Sequence, residues 1–307
     1  MSDTAQTLNE RFAIPGLSFR ADASGLVFAD IDNAGGTATL CLQGAHLTTW
    51  RPKDQAEPVV WLSPLAKYAP GKSIRGGAPV CWPWFGPHAT ESGFPGHGFA
   101  RTVDWKVIGA KALDSGETQI RLLLAQNDAT RAQWPRATRL ELTATVGKTL
   151  RIDLTTTNLD TEDIVIGEAL HTYFHIGDIG RIQVLGLEGS EFVDKVDGGA
   201  RKTQAGPVTC AGEVDRVYVN TAAECVIVDP DLKRRVRVAK SGSNSTVVWT
   251  PWTEKAEKMG DFGPGRANQG GWREMVCVES ANALDNVVSV PAGEAHTLTV
   301  VYSAEAL

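Results

Sequence analysis

The sequence has no apolar run long enough to cross a membrane and no recognisable targeting segment. A transmembrane helix needs about 20 consecutive apolar residues, and no stretch of the 307 residues approaches that length. The first ten residues, MSDTAQTLNE, lack the basic start and the apolar core of a signal peptide. We therefore expect the protein to be synthesised in the cytoplasm and to remain there, without a membrane partner.

Paired cysteines and clustered basic residues are also missing. The five cysteines are an odd set without a C-x-x-C pair, which predicts buried free thiols in place of a disulfide framework. The net charge is −6, and the one basic cluster, at 233–237, alternates as one face of a solvated strand does. This pattern argues against a nucleic-acid partner, but it permits a local cationic pocket for an anionic small molecule.

Helical periodicity is nearly absent, with a short segment at 251–259 as the one candidate. Most of the chain consists of short β-branched and aromatic runs broken by Gly, Pro, Asn and Asp, which is typical of strands and turns. The strongest hairpin signal is a period-two alternation on both sides of a two-residue turn at Gly147 and Lys148. The predicted strands are 26–31, 37–42, 46–50, 139–146, 149–157, 181–187, 224–228, 235–239, 246–249, 275–278 and 295–302.

These many short strands, with no Pro/Gly/Ser linker between the two halves of the chain, predict one all-β domain. A hydrophobic fraction of 42% is enough for a full core. We expect a large antiparallel β-sandwich with few short helices over residues 1–307, in which about residues 1–15 form an N-terminal extension.

Two long irregular segments, 64–101 and 253–272, interrupt the strand pattern. Loops of that length in a compact domain generally carry function. The first loop contains Trp82, Trp84 and Phe85, whose flat faces, fixed by neighbouring prolines, suit the apolar faces of a sugar ring. The alternative is that these aromatic side chains close the open end of the sandwich.

Two arginines flank the aromatic residues of this loop. Arg75 and Arg101 could clamp a phosphate or carboxylate, since guanidinium groups bind both in a bidentate manner. Gly76 and Gly77 would let the backbone approach an anion closely. The alternative is a pair of exposed loop arginines without a partner.

His171 lies just beyond an apolar run, 164–166, in an aromatic setting. A histidine at the end of a strand suits proton transfer near neutral pH, because its unperturbed pKa is about 6.5; the alternative is a hydrogen-bonded core histidine. His175 is a second candidate for chemistry. A metal shared by the two is not expected, because strand residues four apart are about 13 Å from each other.

Two carboxylates are also candidate functional residues. Glu279 ends an apolar strand, and a carboxylate carried into the mouth of a sandwich usually has a function, because burying it unpaired is costly. The alternative is a structural ion pair. Asp215, beside Arg216, has a weaker case, since it also fits an ordinary surface turn.

Taken together, these stretches resemble the hexose-6-phosphate mutarotases, or glucose-6-phosphate 1-epimerases, of the aldose 1-epimerase superfamily. The resemblance covers about residue 17 to the C-terminus, and the motifs stand in family order. The matching stretches are SIRGGAPVCWPWFGP at 73–87, GHGFAR at 96–101, EALHTYF at 168–174, EVDR at 213–216, WTPW at 249–252 and CVESAN at 277–282.

The resemblance implies a sugar bound in a cleft across the concave sheet of one large β-sandwich. It implies that His171 is the general acid and Glu279 the general base of a cofactor-independent ring opening and reclosure, with the two groups on opposite sides of the sugar. The remaining matches are Arg75 and Arg101 to anion-contacting arginines, Asp215 to a hydroxyl-binding aspartate and His97 to a cleft histidine; Trp82 is the expected aromatic contact.

Three alternatives stay open at this point. They are a mutarotase for free aldoses, a non-catalytic sugar-binding protein on the same scaffold, and a glycoside-cleaving enzyme that would use Asp215 and Glu279. Some relatives carry Gln where this chain has Gly96, which leaves fine substrate preference undecided. We expect a monomer whose partner is a small-molecule sugar phosphate, with no metal or other cofactor.

Overall fold

The computed structural model describes residues 4–307, which fold almost entirely into antiparallel strands. The α-helices in this part of the chain are α1 (Ala5–Phe12), α2 (Asp128–Gln133) and α3 (Trp252–Met259). The strands are β1 (Leu17–Ala21), β2 (Val27–Asp32), β3 (Gly36–Cys41), β4 (His46–Pro52), β5 (Val80–Cys81), β6 (Trp105–Ala112), β7 (Thr118–Leu124), β8 (Thr138–Val146), β9 (Leu150–Asn158), β10 (Ile164–Ile166), β11 (Glu168–Leu170), β12 (Tyr173–His175), β13 (Gln183–Leu185), β14 (Glu191–Asp194), β15 (Ala200–Thr203), β16 (Val214–Tyr218), β17 (Cys225–Asp229), β18 (Arg234–Ser241), β19 (Ser245–Thr250), β20 (Met275–Asn282), β21 (Val288–Val290) and β22 (Ala295–Ala306).

Two eight-stranded sheets form the sandwich. One has the order β13-β17-β18-β22-β9-β8-β7-β6, and the other has β15-β14-β16-β19-β20-β11-β5 with β12 also paired to β20. A four-stranded sheet, β1-β2-β3-β4, and the pair β10-β21 complete the fold. The predicted all-β sandwich is therefore confirmed, and the site-bearing strands all belong to the sheet that contains β20.

The core lies between the two large sheets. Alternate side chains of β8 and β9, such as Leu140, Leu142 and Leu154, are buried, as a half-buried sheet requires. Tyr302 of β22 joins the sheets, because its hydroxyl lies 2.7 Å from that of Thr172 and its ring meets that of Phe174 edge to face. The largest hydrophobic cluster runs from residue 8 to residue 304; a single domain over 1–307 stays a prediction.

Several boundaries differ from the sequence expectation. The hairpin of β8 and β9 pairs Val146 with Leu150, so its loop has three residues instead of two. Within the predicted N-terminal extension, residues 1–3 lie outside the described residues. The helix α1 follows them, capped by the Thr4 side chain, and its Leu8 is buried in the core. No helix among residues 4–307 is long and apolar enough to span a membrane.

The long segment 64–101 is irregular, as predicted, with β5 as its one strand. The glycines beside Arg75 have a different purpose from the one expected. Gly76 and Gly77 have φ values of 98° and 72°. A Cβ on Gly76 would lie 2.7 Å from the Leu62 Cα, and one on Gly77 would collide with the His46 ring. The glycines are therefore required by packing against the protein's own chain, not by an approaching anion.

Candidate active site

A cleft with a volume of about 320 Å³ opens on the sheet that contains β20. Small-molecule sites usually measure about 300–1,000 Å³, so the cleft is of a size for one monosaccharide derivative. Strands β16, β19 and β20 form its floor, and the two long loops form its walls. The predicted site residues that line it are Arg75, His97, Arg101, His171, Asp215 and Glu279.

The centre of the cleft holds a histidine and a carboxylate in contact. His171 follows β11, whose Leu170 pairs with Ser280, so that the next residue lies beside Glu279 of β20. The His171 Nε2 is 3.3 Å from the Glu279 Oε1, and the side chains are 13% and 1% exposed. The expectation that the two groups face each other across a sugar is wrong, because they are neighbours on the same side of the cleft.

Burial sets the charges of this pair. It lowers the pKa of His171 well below 6.5, and His97, Arg101 and Arg75 lower it further. Burial also raises the pKa of Glu279 well above 4.5, and Asp215 adds to that shift. Both shifts favour an uncharged pair, a neutral imidazole beside a protonated carboxyl group, over an imidazolium beside a carboxylate.

His97 adds a second neutral imidazole to the wall. Its backbone has a φ of 66°, an uncommon conformation for a residue with a side chain. The backbone N–H of Gly86 donates to Nδ1 at 3.3 Å, so the ring proton belongs on Nε2. Burial and the positive charges of Arg101 and Lys195 lower the pKa of His97 to about 3. A neutral imidazole N–H is suited to donate a hydrogen bond to a sugar oxygen.

Arg75 is held firmly by the protein. Its Nε donates to Asp261 at 3.0 Å, one terminal nitrogen donates to the Tyr173 hydroxyl at 2.8 Å, and its guanidinium lies over the Phe262 ring. These contacts fix the direction of the guanidinium and leave its other N–H groups for a ligand.

Arg101 is held differently. Its one recorded side-chain hydrogen bond goes to the Gly96 carbonyl at 2.8 Å. Within residues 4–307, no carboxylate lies within ion-pair distance of its guanidinium. Gly96 therefore contributes its backbone carbonyl to Arg101. The charge of Arg101 is uncompensated by a direct partner and available to an anion.

Two lysines in the cleft were missed by the sequence argument. Lys195, in the turn after β14, lies over the Phe85 ring with its Nζ 3.8 Å from the Asp215 Oδ1. Lys255 of α3 pairs with Glu213 at 2.6 Å. Neither stands in a recognisable motif, so only the three-dimensional arrangement brings them to the site. The separation of Lys195 from Asp215 leaves room for a hydroxyl that accepts from one and donates to the other.

The prediction that Trp82, Trp84 and Phe85 offer their flat faces to a sugar ring is only partly correct. Trp82 is fully buried and does not line the cleft; its indole N–H donates to the Thr156 hydroxyl at 3.0 Å, across the sandwich. The alternative, an aromatic side chain that closes the sandwich, describes Trp82 better. Trp84 lies outside the cleft, whereas Phe85 lines it together with Trp249 of β19. The apolar surface for a sugar ring thus comes from Phe85 and Trp249.

His175 lies away from the cleft, where its Nδ1 is 3.3 Å from the Pro58 carbonyl. In residues 4–307, one group of side chains has metal-ligand spacing: atoms of His171, Cys277 and Glu279 lie within 4.8 Å of one another. Burial raises the pKa of the Cys277 thiol well above 9, which disfavours the thiolate that a metal needs. The nearby guanidinium groups also oppose a cation. The group therefore fits acid–base chemistry better than metal binding.

Known proteins are similar to this chain in both sequence and architecture. The sequence model of a family described as aldose 1-epimerase matches residues 28–303. A Salmonella typhimurium protein named "putative glucose-6-phosphate 1-epimerase" is 35% identical over 90% of this chain and 92% of its own length. An Escherichia coli protein of the same name is 37% identical over 82% of each chain. The crystal structure of a putative mutarotase from Salmonella typhimurium superposes with a TM-score of 0.86 at 33% identity, covering 96% of this chain and 95% of the other.

Proposed function

This chain belongs to the aldose 1-epimerase family and is an enzyme that interconverts sugar anomers, and we propose that its substrate is a hexose 6-phosphate, with glucose 6-phosphate the first to test. The relatives named as glucose-6-phosphate 1-epimerases support this choice. The observation that carries it is the charge of the cleft.

The cleft is cationic in a protein whose net charge is −6. Besides the His171–Glu279 pair, which holds one proton and is neutral as a unit, four cationic and two anionic side chains line it, a net charge of about +2. A phosphate monoester carries about −1.5 to −2 at pH 7, which matches that charge. A neutral aldose has no use for it. The charged residues are Arg75, Arg101, Lys195, Lys255, Asp215 and Asp261.

The reaction needs two proton transfers at one carbon. In ring opening, Glu279 takes the proton of the O1 hydroxyl while His171 gives a proton to the ring oxygen O5, and the C1–O5 bond breaks. Rotation about C1–C2 then presents the other face of the aldehyde. On reclosure His171 takes the proton of the O5 hydroxyl, and Glu279 returns one to O1. No electrons are transferred, so the reaction requires no redox cofactor.

The contact between His171 and Glu279 fits this order of proton transfers. O1 and O5 are bonded to the same carbon, so one neighbouring acid and base can serve both from a single side of the sugar. The pair carries one proton throughout: imidazolium with carboxylate matches the cyclic sugar, and imidazole with carboxylic acid matches the open chain. Lys195, whose charge lowers the pKa of Glu279, favours the carboxylate that starts ring opening.

The remaining cleft residues bind the substrate. Arg75 and Arg101 contact the phosphate, Asp215 with Lys195 contacts a ring hydroxyl, and His97 donates from Nε2 to a sugar oxygen. Phe85 packs against an apolar face of the ring. For the protein as a whole, we retain a cytoplasmic location and a monomeric state as predictions, the second to be checked by size-exclusion chromatography with light scattering.

Saturation-transfer NMR of the anomeric protons tests the reaction and the substrate together. Wild-type protein should accelerate exchange between the anomers of glucose 6-phosphate far more than exchange between those of free glucose. His171→Ala and Glu279→Gln should each lower that rate by about 10² to 10⁴, the usual contribution of a positioned acid or base. Equal acceleration of both sugars would contradict the phosphate assignment, and full activity of either variant would contradict the assigned roles.

A further inference from the structure

The catalytic histidine lacks the hydrogen bond that usually orients such a ring. In most acid–base sites, one imidazole nitrogen is fixed by a carboxylate or carbonyl, which sets the tautomer of the other. Here Nε2 contacts Glu279, but the buried Nδ1 of His171 has no hydrogen-bond partner. Its own backbone carbonyl is close enough to favour a proton on the ring, without hydrogen-bond geometry. At Nδ1, therefore, no hydrogen bond orients this ring.

An aromatic column supplies that orientation. The Tyr173 ring lies nearly parallel to the His171 ring, at 16° with the centroids 5.1 Å apart. Tyr173 also stacks on Trp61 at 24° and 5.9 Å, and Trp61 stacks in turn on Phe262. Trp249 meets both His171 and Tyr173 edge to face. Tyr173 is 3% exposed, so its ring has little freedom to move.

The column also connects His171 to the proposed phosphate site. The Tyr173 hydroxyl accepts a hydrogen bond from Arg75 at 2.8 Å, and the same guanidinium is paired with Asp261. Tyr173 is thus fixed at its hydroxyl by one charged group and offers its ring face to the histidine. An aromatic face within about 6 Å of a cation stabilises it, most strongly where water is excluded.

We propose that Tyr173 is a positioning residue that holds the His171 ring by stacking and favours its protonated form, an inference that rests on the proposed function. The ring is the part that matters for proton transfer at O5. The hydroxyl matters for the direction of Arg75 and hence for binding of the phosphorylated sugar. These two contributions can be separated by substitution.

Tyr173→Phe and Tyr173→Leu form a matched pair, because both lose the hydroxyl and only the second loses the ring. With glucose 6-phosphate, we expect the two variants to share a raised KM. We expect kcat of Tyr173→Phe to stay near the wild-type value and kcat of Tyr173→Leu to fall about tenfold below it. Tyr173→Met, whose flexible side chain fills similar space, gives the same comparison if the leucine variant does not fold.

Phe174→Leu is the control for lost packing. Phe174 is fully buried on the same strand, but its ring contacts Tyr302 instead of His171. This variant should lose stability by a similar amount, measured as Tm, and keep its kcat. Equal kcat in the Phe and Leu variants at 173, or an equal loss in Phe174→Leu, would overturn the inference while wild type remains active. A wild type without activity on sugar phosphates would overturn the proposed function, and this inference with it.

Discussion

Replacing Arg101 by glutamine tests whether this residue recognises the phosphate of the proposed substrate. Arg101 is preferable to Arg75 for this purpose, because Arg75 also holds Asp261 and Tyr173 in place. The Arg101 guanidinium has one recorded hydrogen bond, to the Gly96 carbonyl, and no carboxylate partner within the described residues 4–307. Its removal therefore leaves little of the protein's own structure unpaired.

The expected loss of activity follows from the hydrogen bonds that Arg101 would donate to a phosphate. A hydrogen bond to a charged group contributes about 1.5–3 kcal/mol, and 1.36 kcal/mol corresponds to a tenfold change in rate. Arg101→Gln should therefore lower kcat/KM for glucose 6-phosphate by about 10- to 100-fold. The slower mutarotation of free glucose should not fall, since that sugar offers no anion to Arg101 and the variant loses a charge that disfavours the His171 imidazolium.

The assay is saturation-transfer NMR with each sugar in turn. Arg139→Gln is the control, because Arg139 lies on the exposed face of β8 and pairs with Glu141 at 2.6 Å, away from the cleft. It removes the same net charge without touching the site. An equal loss with both sugars in Arg101→Gln would refute the assignment of this arginine to the phosphate, as would an equal loss in the control.

Two further predictions concern stability. Buried His46 and His175 each have a pKa of about 4 in the fold, so below pH 6.5 the unfolded chain binds protons that the native state does not. The free energy of unfolding should then fall with falling pH, by about 1.4 kcal/mol for each of the two histidines at pH 5.5. A free energy of unfolding, measured by urea denaturation, that is as high at pH 5.5 as at pH 7.5 would contradict this. Trp82→Phe removes the indole bond to Thr156 and should cost about 1–3 kcal/mol in the same assay while leaving the sugar KM unchanged; a raised KM would return Trp82 to the site.

The long strands could be predicted from the sequence because their pattern is regular. β9 alternates between buried and more exposed side chains over its nine residues, and β8 and β22 do so over seven and five residues, at 138–144 and 300–304. Short elements carry less information: α1 has one fully buried side chain, Leu8, and its capping threonines, Thr4 and Thr7, differ from the usual Ser/Thr-x-x-Glu signal. Such elements form because tertiary contacts complete them, which no local pattern records.

Some residues of the site could likewise be predicted from the sequence, and others could not. His171 and Glu279 could be placed because the first follows a buried strand, the second lies within one, and both stand in a family motif. Trp82 and Phe85 could not be told apart, since both lie in an irregular loop where residue type does not reveal which side chain turns inward. Lys195 follows a four-residue strand, β14, and reaches the cleft only because that strand pairs with β16.

The phosphate of the proposed substrate would have a consequence beyond binding. Arg101 and Arg75 are among the groups that lower the pKa of His171, and a bound dianion would offset their charge. The proposed substrate would therefore favour the imidazolium that ring opening requires, and the Tyr173 face would stabilise the same form. A free aldose reaches the same pair with the two guanidinium charges uncompensated. On this argument the phosphate contributes to kcat as well as to KM, because the residues that recognise it also influence the charge of the acid.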